Sequence, residues 1–175
     1  DEAEDVLRRV REMVERSIEH VRRVLKEVED VVRESIKHVE DVVREVREVI
    51  REVEELVDRN EVDKKELRKR LKELEDKVEK RTRENEERNK ELNKKVKDAD
   101  DENRKRNEKV RRDVRRSNID KRVEEEIDKL LRESKRELDE VRKRIEDLSR
   151  ESERRLREAV EEIRRLVKKV AEKVN

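Results

Sequence analysis

A repeat of 18 residues constrains this chain more than any other feature. Ser17 to Glu34 reads SIEHVRRVLKEVEDVVRE, and Ser35 to Glu52 reads SIKHVEDVVREVREVIRE. Ser17 matches Ser35, Ile18 matches Ile36, His20 matches His38 and Val21 matches Val39. Five turns at about 3.6 residues each return to the same angle, so matched residues share one line on a straight helix. Val6, Leu7, Val10, Val14, Ile18, Val21, Val24, Leu25, Val28, Val32 and their repeats up to Val57 fill an arc of about 140°. The polar residues placed regularly in or beside that arc are Ser17, His20, Ser35 and His38, which include both histidines of the chain. This stretch reads as an apolar helix crossed by two titratable polar layers, with the rest of the chain as its cover.

Composition narrows the alternatives. The chain has no Gly, Pro, Cys or aromatic residue, whereas average usage is about 7% Gly and about 5% Pro. Charged residues make up 61%, yet 54 Lys and Arg against 53 Asp and Glu leave a net charge of +1. The signs interleave at helical spacing, which suits solvated helix faces. The sustained apolar period separates the chain from a disordered polyelectrolyte. No run of about 18 apolar residues offers a membrane span, and no signal peptide is visible. Without cysteine there is no disulfide or thiol chemistry, and no natural compartment is indicated. The balanced charge gives no reason to expect nucleic acid as a partner.

The apolar stripes define three helices, at about 2–57, 63–116 and 121–173, as a single bundle over 1–175. The pattern breaks first at Asp58-Arg59-Asn60-Glu61. Asp63 with Glu66 then forms a capping-box pattern, and Val62 and Leu67 are placed as a hydrophobic staple. The second break is Ser117-Asn118, with Asp120 or Asn118 as the cap. The second helix carries a narrow stripe of Leu67, Leu71, Leu74, Val78, Leu92, Val96, Ala99, Val110 and Val114. Asn85, Asn89, Asn103 and Asn107 fall on that same stripe, again as a repeat of 18. The third helix carries Ile127, Leu131, Leu138, Ile145, Leu156, Ile163 and Val170, with Ser134 and Ser152 also 18 apart and Ser149 at the stripe's edge.

Short breaks between helices of similar length imply antiparallel neighbours. In an antiparallel pair, residues at one height have numbers with a constant total. His38 with Asn85 and His20 with Asn103 both total 123, whose half falls in the first break. Asn103 with Ser134 and Asn85 with Ser152 both total 237, whose half falls in the second. The expected fold is all-α, a long antiparallel three-helix bundle of near-straight helices. One polar layer should hold Ser17, His20, Asn103, Asn107 and Ser134. The other should hold Ser35, His38, Asn85, Asn89 and Ser152, with Ser149 beside it.

On these residues the chain resembles computationally designed helical bundles with buried histidine-containing hydrogen-bond networks that respond to pH. The resemblance spans the whole chain and rests on layout: the Ser17/His20 and Ser35/His38 repeats, the Asn pairs, and the facing Ser134 and Ser152. The Gly-free breaks depart from that pattern, since a helix C-terminus usually takes Gly. The resemblance implies acid-triggered opening, disruption of membranes in acid, or assemblies that dissolve in acid.

Neutral imidazole, amide and hydroxyl groups can satisfy one another when buried. Protonation would convert the imidazole acceptor to a donor and bury a charge, so His20 and His38 are the expected switch residues. Two other readings stand beside this one. The histidines can be boundary residues with their tips in water, and the asparagines can set register alone, as polar core residues do in coiled coils. The broad apolar arc of the first helix leaves a surplus edge of Leu7, Val14, Ile18, Leu25, Val32, Ile36, Val43, Ile50 and Val57. Its cover is either the two other helices in a monomer, another copy in a homo-oligomer, or a membrane surface in acid. Nothing points to an enzyme. No nucleophile–base pair or phosphate loop stands out, and His20 and His38 are about 27 Å apart along a helix, too far for one metal site. No cofactor or small-molecule substrate is expected.

Overall fold

The computed structural model describes residues 2–59 and 63–173. It contains α1 (Glu2–Asp58), α2 (Lys64–Arg116) and α3 (Lys121–Lys173), with no strand among the described residues. The helix ends fall within a residue of the positions expected from the stripes. Asp63 starts α2: its Oδ1 accepts from the Lys65 amide at 3.2 Å, and its carbonyl accepts from Leu67 N at 3.1 Å. Of the expected staple, Val62 lies outside the described residues. Asp120 rather than Asn118 caps α3, with its carbonyl accepting from Val123 N and Glu124 N at 3.0 and 3.2 Å. Asn118 has φ 54°, the left-handed conformation that ends α2 without glycine. Asparagine tolerates that region better than most side chains, which is how the chain manages this turn.

The three helices pack as an antiparallel three-helix bundle, and ionic and polar rungs record the register. Between α1 and α2, Ser17 meets Arg106 and Ser35 meets Arg88, and the residue numbers of both pairs total 123. Between α1 and α3, Arg11–Glu126, Arg22–Glu137 and Glu40–Arg155 all have a separation of 115, so these helices run parallel.

Contacts divide the chain into two compact units. The first joins α1 up to Val31 with Glu91–Glu146, and the second joins Val32–Lys90 with the chain from Asp147. In the first unit, Val10, Val14, Val110, Val114, Ile127 and Leu131 form a buried cluster. In the second, Val39, Val46, Leu74, Val78, Leu156 and Ile163 form one cluster, and Val53, Leu67, Leu71, Leu166 and Val170 another. Burying each such side chain contributes about 1.5–3 kcal/mol before entropy is counted. Valine is a mediocre helix former, so α1 owes its helicity to this burial more than to propensity.

The surplus edge of α1 is a correction to the sequence reading. Val14, Leu25, Val32 and Val57 are buried, and Leu7, Ile18, Ile36, Val43 and Ile50 are half-buried. Within each unit α3 covers this side: Ile18 packs with Ile127 and Leu131, and Val43 and Ile50 pack with Leu156 and Ile163. Exposure appears on the opposite edge instead, at Met13 (49%) and Val31 (38%).

Candidate functional site

The second unit holds a connected polar layer. Asn85 Nδ2 donates to Ser152 Oγ at 3.1 Å. Asn89 Nδ2 lies within reach of Ser152 Oγ (3.4 Å), the Ser149 carbonyl (3.4 Å) and Glu153 Oε1 (3.2 Å). Ser152 Oγ in turn donates to the Ser149 carbonyl at 2.8 Å. Asn85, Asn89, Ser149 and Ser152 are all buried. The amides thus tie α2 to α3 at one height, as the matched totals anticipated. Ser149 Oγ, however, is buried with no partner.

The first unit holds the same residue types in a looser arrangement. Asn103 and Ser134 are buried, but Asn103 Oδ1 has no hydrogen-bond partner. Ser17 and Asn107 are half-buried. A surface groove of about 390 Å³ runs beside them, lined by Met13, Ser17, His20, Arg106, Asn107 and Val110 among others.

Neither histidine joins these layers. His20 and His38 are both exposed, so the expectation of buried imidazoles is replaced by the boundary placement. The wheel explains it. Both imidazoles sit near 200°, whereas the buried residues of α1 run from about 260° at Val53 to about 340° at Leu25. The serines near 260° come closer to the core, and there α2 supplies arginines. Arg88 Nη1 donates to Ser35 Oγ at 3.2 Å, and Arg106 Nη1 donates to Ser17 Oγ at 3.4 Å. Aliphatic arginine stems can span such a boundary while the guanidinium stays wet. These arginines and Glu153 were missed from sequence. The signal was present, since Arg88 and Arg106 repeat at the same interval of 18.

Other chemistry is sparse. Among the described residues no group of three or more His, Cys, Asp or Glu is placed to hold a metal ion. No described helix is long and apolar enough to cross a membrane. The Arg22 guanidinium is held above its ordinary range chiefly by its hydrogen bond to Glu137, at 2.7–2.9 Å. That pair fixes register and does no chemistry.

No protein-family model matches the sequence, and no curated protein is similar to it. Among solved structures, the chain is similar to a computationally designed three-helix bundle. The match has a TM-score of 0.59 and 19% identity, covering 99% of this chain and 90% of that one. The two share a fold.

Proposed function

We propose that this chain is a designed, non-enzymatic structural scaffold in which buried asparagines and serines dictate which helix faces pair and at what height. The observation that carries this reading is the Asn85–Ser152–Asn89 cluster, which joins α2 to α3 through side chains that an apolar core does not need. Buried amides cost stability unless paired, so they favour the one register in which they find partners. The 18-residue repeat makes that restriction useful. Sliding one helix by a few residues keeps much apolar contact but separates Asn from Ser. The Gly-free composition and the similarity to a designed bundle support a designed origin. The exposed imidazoles weigh against an acid switch seated in the chain's own core, because protonating a solvated group buries no charge. The abundant carboxylates on α1 likewise weigh against membrane disruption.

The test is Asn85→Leu with Asn89→Leu. The scaffold reading expects helicity to be retained and the variant to populate more than one packing, seen as extra backbone amide resonances. A single sharp set of resonances, as in the parent, would remove the specificity role.

A further inference from the structure

One line along α1 is left uncovered, and its pattern names its own partner. Met13, His20, Val31 and His38 on this line are exposed, and Ser17, Val24, Val42, Val49 and Leu56 are half-buried. Ser35, buried under Arg88, completes it. All lie on one unbroken helix within an arc of about 60° at 100° per residue. Beside the line runs a rail of exposed charges. It is basic in its first part, with Arg9, Arg16 and Arg23, and acidic afterwards, with Asp30, Glu34, Asp41 and Glu48.

We propose that a second copy of this chain docks antiparallel along this line, forming a two-fold homodimer in which α1 pairs with α1. The register that matches the line to itself pairs residues whose numbers total 55. Met13 meets Val42, Ser17 meets His38, His20 meets Ser35, and Val24 meets Val31. Each histidine then faces a serine. That hydroxyl accepts from an arginine of its own chain and has its proton left to donate to a ring nitrogen.

The charges select this arrangement. In an antiparallel helix pair the flanking residues that meet have numbers two above the core total, here 57. Arg9 meets Glu48, Arg16 meets Asp41, and Arg23 meets Glu34, each twice by symmetry. The like-charge exception is Glu27 with Asp30 beside the axis. Shifting the axis into the first repeat would set Arg16 against Arg23, and shifting it into the second would set Glu34 against Asp41. Parallel packing would place the basic parts together and the acidic parts together.

This inference extends the scaffold reading, and its readouts, mass and cross-link position, are independent of packing in the α2–α3 layer. The chain has no cysteine, so single cysteines are clean reporters. Val24→Cys and Val31→Cys chains are mixed and oxidised without denaturant. Disulfides joining position 24 to position 31 are expected; a predominance of links between two copies of position 24 would overturn the antiparallel register. Sedimentation of the parent should give a dimer mass. The pair Arg16→Glu/Arg23→Glu should weaken the dimer about tenfold or more at low salt. Adding Glu34→Arg/Asp41→Arg should restore it, with circular dichroism confirming that every variant remains helical. A parent that is monomeric at every concentration overturns the proposal, whether or not it binds anionic vesicles. So does a dimer indifferent to the charge swap.

Discussion

Asn103 offers the sharpest test of how the two units differ. It sits 18 residues after Asn85, at the same angle of the same helix, and both are buried. Helix propensity and wheel position therefore cancel when the two are compared. Asn85 donates to Ser152, whereas Asn103 Oδ1 has no partner. An unsatisfied buried acceptor costs about 1–3 kcal/mol, and a neutral hydrogen bond contributes a net of about 0.5–1.5 kcal/mol. Asn103→Leu removes the unpaired acceptor and adds apolar burial. Fitting the larger side chain takes back part of the gain. The expected result is a stabilisation of about 1–2 kcal/mol. Asn85→Leu loses one bond, but Ser152 keeps Asn89 as a donor and the Ser149 carbonyl as an acceptor. Its expected effect is near zero. Guanidinium denaturation followed by circular dichroism resolves the difference. With a slope of roughly 5 kcal/mol per molar for a chain of this size, the Asn103 midpoint should rise by about 0.2–0.4 M. Equal shifts for the two variants, or a lower midpoint for Asn103→Leu with helicity intact, would refute the argument from the missing partner.

Two further outcomes follow from burial and from the proposed seam. Ile163 is fully buried, so Ile163→Ala should lower stability by about 2–5 kcal/mol, whereas Met13→Ala, at 49% exposure, should stay within about 0.5 kcal/mol under dilute monomeric conditions; comparable losses from the two would contradict the assigned core. Acid should act on association and leave the helices intact. In the dimer His20 would sit among Arg16, Arg106, Asn107 and Lys109 and face the second copy's Ser35, while His38 would sit near Glu34, Asp41 and Arg88 and face the second copy's Ser17. An added proton takes away the ring acceptor that the serine proton needs. The seam is therefore present above the ordinary imidazole range, about pH 6.5, and is lost as pH falls through it. Sedimentation at about pH 7.5 and about pH 5 reads this loss. Equal sensitivity in a His20→Asn/His38→Asn variant would assign it to carboxylates instead.

Helix number, helix ends and register were legible in the sequence because each rests on a period. A repeat of 18 fixes the wheel angle, and matched polar residues fix height. The Asn85–Ser152 pair could be read in this way. Lateral placement was harder. His20 lies at the edge of the apolar arc, and a rotation of α1 by one residue's angle decides between core and solvent. That rotation depends on how α2 and α3 share the face, which no single helix encodes. The surplus edge was misplaced for the same reason: the wheel gives the arc's width, and only packing shows which rim is covered. Glu153 and Arg88 were missed because charged residues occupy 61% of the chain, so a charge with a specific partner looks like any other.

The rungs between helices also set an order of entropic costs. From α1 to α2 they lie 18, 32, 53 and 89 residues apart, at Glu52–Arg70, Glu45–Lys77, Ser35–Arg88 and Ser17–Arg106. Each rung closes a short additional loop once the one before it has formed, so this hairpin can zip outward from its turn. From α1 to α3 the three rungs share a separation of 115. None of them is local, and none is cheaper to close first. Parallel docking of the third helix is therefore a single long closure, and the finished hairpin is the template on which it occurs.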